Sequence, residues 1–201
     1  MKTFISIFNT ILTANKDESR KAAREVRKFL YGSHGSRDEF GNIKKIINSA
    51  PSEYSEISED WRQENFVIAV SIIYYLHDQE SQPDFLFPWL FQLLWHKNGN
   101  IRHAAVRMIE HEIGPLTYHL RCPGEKLSSR ELSPQQADYI ISRLFVSLHN
   151  LLDESWKPMY KRYKYVESLP SGIYKSVQML LSQLEEDCGD EYIKNLKDSL
   201  R

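Results

Sequence analysis

Cysteine is scarce in this chain of 201 residues, which has only Cys122 and Cys188. The two lie far apart, with no CxxC motif and no paired Cys/His spacing around them. This pattern argues against a disulfide framework and against a zinc-binding module. We therefore expect two free thiols, as is usual in the reducing cytoplasm, and we predict a cytoplasmic protein.

An excess of charge of one sign is also absent. The chain has 26 Lys and Arg against 27 Asp and Glu, for a formal net charge of −1, so no overall basic field attracts nucleic acid or anionic lipid. The distribution is uneven, because residues 1–50 hold 10 basic and 5 acidic side chains, whereas residues 51–100 hold 2 basic and 8 acidic ones. The first quarter of the chain is therefore basic and the second is acidic.

Long hydrophobic runs are missing as well. The longest one, Phe66 to Leu76 with Ser71 inside it, is too short for a bilayer, which needs about 20 residues. The apolar residues of the opening segment recur at helical spacing, which indicates an amphipathic helix rather than a secretory signal; they are Phe4, Ile7, Phe8, Ile11 and Leu12. We expect no membrane segment and no membrane partner.

The known motifs of catalysis and metal binding do not occur. The sequence contains no HExxH, HxH, GxSxG, P-loop or GxGxxG pattern, and no kinase signature. We therefore expect no cofactor, no metal ion and no catalytic residues. Since 41% of the residues are hydrophobic and 26% are charged, the composition is that of an ordinary folded protein.

Helical periodicity runs through almost the whole sequence. Apolar positions fall at steps of three and four, and no sustained alternation of apolar and polar residues occurs, so we predict an all-α fold. The predicted helices cover residues 2–13, 17–30, 37–49, 59–77, 84–95, 100–119, 134–152, 172–186 and 190–199. Ser133, Pro134 and Gln136 form a helix start signal. Breaks are expected at Tyr31-Gly32-Ser33, Ser49-Ala50-Pro51, Asn98-Gly99-Asn100, Cys122-Pro123-Gly124 and Pro170-Ser171-Gly172.

An internal repeat is the strongest pattern in the sequence. The stretch TILTANKDESRKAAREV, residues 10–26, aligns without a gap with part of LFPWLFQLLWHKNGNIRHAAVRMI, residues 86–109, at an offset of 82. The alignment matches Arg20 with Arg102, and the pair Ala22-Ala23 with Ala104-Ala105. Half of this offset falls near the length of about 40 to 47 residues that two-helix repeats have, and Arg62 begins another apolar helix near the midpoint.

Residues 86–109 resemble a HEAT repeat: Pro88 lies early in a first helix, a short polar turn follows, and Arg102 precedes the two alanines. The positions that match the usual Asp of the turn are Ala14 and His96, so the pairing of Asp with Arg that is common in the family is not expected here. The resemblance implies an α-α superhelix, a short solenoid of about four HEAT-like helix pairs plus a C-terminal helix, in a single domain over residues 1–201. The repeats are clear over residues 1–119, and a divergent pair and terminal helix follow over residues 133–201. Small alanines would let the paired helices approach closely, so we expect all four to be buried.

The resemblance also implies a binding surface, since the second helix of each HEAT pair lines the concave face that holds partners. The residues predicted there are Lys21, Glu25, Lys28, Val67, Ser71, Tyr74, His103, Arg107 and Glu110. Two alternatives stay open for the middle helix, FVIAVSIIYYL, which is apolar on nearly every side. Its neighbours bury it, or it offers an apolar strip to a partner.

Basic and aromatic residues alternate over residues 156–165, which we call the basic–aromatic segment. Such a mixture suits phosphate contacts and base stacking, although lysine stems and tyrosines also serve to cover apolar surface. The residues predicted to contact an anion or a nucleic acid are Lys157, Tyr160, Lys161, Arg162, Tyr163 and Lys164.

A second resemblance concerns the alkylpurine DNA glycosylases built from HEAT-like repeats, which combine a basic concave face with tryptophans and an aspartate one turn beyond one of them. The carboxylate is missing here, because the residues four positions after the tryptophans are Asn65, Leu93, Gly99 and Tyr160. We therefore expect a non-catalytic scaffold that binds another protein or a peptide, with nucleic-acid binding as the alternative.

Overall fold

The protein is all-helical in its described residues. The structure, a computed structural model, describes residues 3–32, 37–124 and 132–199, and it gives no side chains for residues 37 and 38. The α-helices within these ranges are α1 (Phe4–Thr13), α2 (Lys16–Tyr31), α3 (Arg37–Ser55), α4 (Asp60–Ile73), α5 (Phe87–Leu94), α6 (Gly99–Leu116), α7 (Tyr118–Arg121), α8 (Pro134–Ser155), α9 (Ile173–Cys188) and α10 (Asp190–Ser199). Short 3₁₀ turns cover Tyr74–Leu76, Pro158–Arg162 and Val166–Ser168. No helix in the described ranges has both the length and the apolar character needed to cross a membrane.

Contacts between the helices divide the chain into two compact units, Met1–Asp78 and Gln79–Arg201. In the first unit, α1 packs on α2 and α3 packs on α4, while α2 also packs on α4 and α1 on α3. In the second unit, α5 packs on α6 and α8 on α9, while α6 packs on α9. Each unit therefore contains two packed pairs of consecutive helices.

The predicted helix boundaries agree closely with the structure where local signals are strong. Ser133 caps α8 as expected, since its hydroxyl accepts a hydrogen bond from the Gln136 amide at 3.3 Å and the Gln136 side chain accepts one from the Ser133 amide at 2.9 Å. The amphipathic first helix is confirmed by the burial of Phe4, Ile7 and Phe8. Lys2, at which the first predicted helix begins, and Ser33, the last residue of a predicted break, lie outside the described residues.

The predicted break at Ser49-Ala50-Pro51 is wrong, because α3 continues through Pro51 to Ser55. A proline inside a helix removes one backbone hydrogen bond and costs about 3 kcal/mol. Burial of the apolar residues on either side of Pro51 offsets this cost, since Ala50 is fully buried and Tyr54 and Ile57 are each 7% exposed. Tertiary burial therefore overrides the local signal of Pro51.

The alanine prediction is confirmed in both units. Ala22 and Ala23 of α2 are buried, and so are Ala104 and Ala105 of α6. In each unit, the helix that carries the pair packs against at least two other helices. The small side chains therefore lie where helices approach each other closely.

Two arginines bind backbone carbonyls near the ends of first helices or in the turn just beyond, where such groups lack partners within the helix. Arg102 is buried and donates hydrogen bonds from Nη1 to the carbonyl oxygens of His96, at 2.8 Å, and Lys97, at 2.9 Å. Arg62 donates from Nη1 to the carbonyl oxygen of Leu12, near the end of α1. Arg20, the sequence match of Arg102, is exposed instead. In the first unit, Arg62 therefore makes a carbonyl contact of the kind that Arg102 makes in the second, although the internal alignment matches Arg102 with Arg20.

Candidate functional site

The basic–aromatic segment lies in the second unit, between α8 and α9. Proline at the start of its 3₁₀ turn, Pro158–Arg162, fixes the backbone there. The ring of Tyr160 stacks on that of Tyr174 in α9, with centroids 4.5 Å apart and an interplanar angle of 24°. Buried Leu169 and a hydrogen bond of 2.7 Å from Lys175 Nζ to the Glu167 carbonyl oxygen hold the chain just beyond it. The segment is therefore an ordered surface attached to α9.

Large apolar side chains of this segment are exposed. Trp156 is 41% exposed, Met159 46% and Tyr165 62%. Two lysines lie against the rings: Lys161 Nζ is 5.6 Å from the centroid of the Trp156 ring, and Lys164 Nζ is 5.3 Å from that of Tyr165. These distances are those of cation–π contacts, so the ammonium groups are positioned by the aromatic rings beside them.

The cations of the segment are exposed and available. Lys157, Lys161, Arg162 and Lys164 are all exposed, and none of them forms an ion pair with another residue of the described ranges. Acidic side chains are present at both ends of the segment, since Glu154 and Glu167 are exposed too. The surface is thus locally basic, with acidic residues at its borders.

The predicted polar positions of α2 and α6 lie on the surface of their units. In α2, Lys21 and Lys28 are exposed and Glu25 is half-buried. In α6, His103 and Arg107 are exposed and Glu110 is half-buried. Burial raises the pKa of the Glu110 carboxyl, and electrostatic interactions with the nearby His103 and Arg107 partly offset that rise. These side chains can therefore meet a partner.

The middle helix, α4, is buried by its neighbours, which is the first of the two alternatives. Val67 is fully buried and Tyr74 is 1% exposed, whereas Ser71 is half-buried and donates its hydroxyl to the Ile68 carbonyl oxygen at 2.8 Å. The reason is that α2 and α3 both pack on α4. Val67 and Tyr74 therefore have almost no surface to offer a partner, whereas Ser71 keeps part of its surface exposed.

A polar cluster that the sequence did not predict lies in the second unit, around Asp138 of α8. Asp138 Oδ1 lies 3.0 Å from His119 Nε2 in α7 and accepts a hydrogen bond of 2.8 Å from the Tyr192 hydroxyl in α10. Asp187 is close by on α9, with Oδ2 3.3 Å from the Thr117 hydroxyl. The contributing residues are distant in sequence and follow no spacing motif, so only the packing of the helices brings them together.

Neither the Cys188 thiol nor the Tyr192 hydroxyl, which lie near Asp138, is activated as a nucleophile. Burial, with Asp187 and Asp138 adding to its effect, raises the pKa of the Cys188 thiol to about 12. A thiol with that pKa keeps its proton at neutral pH, and the thiolate is the reactive form. Burial and the hydrogen bond to Asp138 also raise the pKa of Tyr192. The contacts of Asp138 with His119 and Tyr192 link α8 to α7 and α10.

The raised pKa of Cys188 predicts an alkaline loss of stability. A group whose pKa is raised by folding stabilises the folded state fully below its unfolded pKa, 9.0 here, and loses that effect as pH rises toward about 12. When urea denaturation is measured at several pH values above 8, the free energy of unfolding should fall less steeply with rising pH in Cys188→Ala than in the parent chain. Each proton lost only on unfolding contributes about 1.4 kcal/mol per pH unit.

Val177→Ala is the matched control, because Val177 is fully buried in the same helix and carries no ionisable group. It should lower the free energy of unfolding at every pH, by about 1 to 3 kcal/mol, and keep the pH slope of the parent chain. Equal slopes in all three proteins would contradict the assignment of the alkaline loss to Cys188.

The chain matches no protein-family model, no curated protein and no solved structure.

Proposed function

We propose that the chain is a non-catalytic interaction module of HEAT-like helix pairs, and that it binds another protein or a peptide through the basic–aromatic segment. The packing within each unit supports the repeat. Consecutive helices pair, and the second helices of neighbouring pairs pack on each other, α2 on α4 and α6 on α9. HEAT-type repeats stack in this way, since each pair buries its apolar face only against the next pair.

The single observation that carries the binding function is the group of exposed, ordered apolar side chains: Trp156, Met159 and Tyr165. Tryptophan, tyrosine and arginine are enriched among the residues that dominate protein–protein binding energy, and methionine is also common in interfaces. Because the segment is held against α9 in the unbound chain, little conformational entropy is lost on binding. Further contact positions within the two units are Lys21, Glu25 and Lys28 of α2 and His103, Arg107 and Glu110 of α6.

Nucleic-acid binding is the second candidate, and its support is the presence of four exposed cations among the aromatic rings of the segment. A positive groove with stacking platforms is how single strands are bound. The first unit favours proteins instead, because it separates charges of opposite sign. Exposed basic residues line α2, whereas exposed Glu53, Glu56, Glu59 and Asp60 lie around the start of α4, where they would repel a long phosphate backbone.

A variant with four substitutions tests both candidates: Lys157→Gln, Lys161→Gln, Arg162→Gln and Lys164→Gln, called the neutralised variant. We expect the unmodified protein to bind short single-stranded DNA or RNA no better than millimolar in fluorescence anisotropy. The amount of partner protein captured from native lysate is quantified by mass spectrometry. It should be lower by about tenfold or more with the neutralised variant, because a tenfold loss of affinity requires a loss of only about 1.4 kcal/mol of binding free energy.

The matched control removes the same number of positive charges, but from exposed positions of α2. Its substitutions are Lys16→Gln, Arg20→Gln, Arg24→Gln and Arg27→Gln. This α2 variant should capture the same proteins as the parent chain. Micromolar oligonucleotide binding that weakens steeply between about 50 and 200 mM salt, and that the neutralised variant loses, would put nucleic acid first.

A further inference from the structure

The aromatic rings of the basic–aromatic segment already use some of their faces within the chain. Lys161 lies over one face of Trp156, Lys164 over one face of Tyr165, and Tyr160 stacks on Tyr174. Stacking a base requires a free ring face, and successive bases require successive free faces. These contacts leave at most one face of each of these three rings for a ligand.

The same contacts suit a carboxylate. A lysine held over a ring has its ammonium group fixed in place, so binding an anion there immobilises little additional side chain. The edge of an aromatic ring also carries partial positive charge, which favours an acidic group beside it. Lys157 and Arg162 add exposed cations to the same segment, and the planar guanidinium of Arg162 can bind a carboxylate through two hydrogen bonds.

We propose that the partner of this segment is an acidic stretch of polypeptide that also carries an aromatic or large aliphatic side chain. This inference rests on the proposed function and names the chemistry of the partner. The carboxylates of the partner lie against Lys161, Arg162 and Lys164, and its apolar side chain lies against Trp156 and Met159. Charge complementarity selects the partner and speeds its association, while burial of the exposed apolar surface supplies affinity.

Glu154 and Glu167 limit the extent of the site. Both are exposed at the ends of the segment, so a partner whose negative charge continued past the segment would meet like charges there. The acidic stretch is therefore short, with its carboxylates concentrated over residues 157–164. This limit also distinguishes it from a nucleic-acid strand, whose charge repeats along its whole length.

Peptide selection on the full chain tests the inference. A library of random peptides displayed on phage is selected on the immobilised protein and depleted on the neutralised variant, so that peptides bound elsewhere are removed. We expect the enriched peptides to combine several Asp or Glu residues with an aromatic or large aliphatic one. In calorimetry, the synthetic form of the most enriched peptide should bind the neutralised variant and Trp156→Ala each about tenfold more weakly than the parent chain. Its affinity for the α2 variant should equal its affinity for the parent chain.

The outcomes distinguish the acidic partner from the protein-binding function on which it rests. Enriched peptides that depend on the segment but are neutral, basic or without an apolar anchor would overturn the acidic partner and leave the protein-binding function in place. Selection that yields no peptide able to distinguish the parent chain from the neutralised variant would overturn both. Tighter binding of a short single-stranded oligonucleotide than of any peptide would overturn both in favour of nucleic acid. Circular dichroism of each variant should equal that of the parent chain, because the changed side chains are exposed.

Discussion

Replacing Arg102 by Met should lower the free energy of unfolding by about 2 to 4 kcal/mol, because it removes two charged hydrogen bonds and leaves their acceptors without a donor. Arg102 is 7% exposed and donates from Nη1 to the carbonyl oxygens of His96 and Lys97. Methionine keeps most of the apolar stem, so the loss reports the guanidinium contacts rather than packing. Chemical denaturation of the purified protein measures it.

Arg20→Met is the matched control, because the internal alignment makes Arg20 and Arg102 equivalent whereas the structure leaves Arg20 exposed. Substitution of an exposed residue without specific contacts usually changes stability by no more than about 0.5 kcal/mol. Similar losses in the two variants would contradict a special role for the contact between Arg102 and the turn.

Ala105→Leu should destabilise the second unit by about 1 to 3 kcal/mol through overpacking. Ala105 is fully buried in α6, which packs on both α5 and α9, so three additional carbon atoms force helices apart or side chains out of their rotamers. Ala23→Leu should have a similar effect in the first unit, where Ala23 is 4% exposed. Thermal and chemical denaturation report both losses.

The control for this pair is His103→Leu, which adds an apolar side chain to the same helix at an exposed position. It should leave the melting temperature close to that of the parent chain. An unchanged melting temperature in Ala105→Leu would count against the internal alignment and against close packing of α6.

The all-helical fold was predictable from the sequence because its determinants are local. Apolar spacing and start signals such as the Ser133 cap act within one helix, and the structure confirms them. Pro51 shows the limit of this reasoning, since its local penalty is outweighed by burial of Ala50, Tyr54 and Ile57. The HEAT-type superhelix stays a prediction, as does the arrangement of the chain in a single domain.

The candidate site was predictable in composition but not in geometry. The alternation of basic and aromatic residues located the segment at residues 156–165, yet the positions of Lys161 and Lys164 over exposed rings depend on the backbone of the 3₁₀ turn. The contacts of Asp138 with His119 and Tyr192 were beyond sequence reasoning, because they join three helices. The apolar composition of α4 was recognised, but its burial depends on α2 and α3.

The division of the chain at Asp78 and Gln79 has a consequence for synthesis. Each unit is built from one continuous stretch of polypeptide, so every helix contact within the first unit joins residues that emerge from the ribosome before any residue of the second. Contacts between residues close in sequence form quickly, and domains fold as units, the N-terminal one first. The first 78 residues can thus bury their apolar helix faces while the remainder is still being translated, which shortens the time for which that surface is exposed to aggregation.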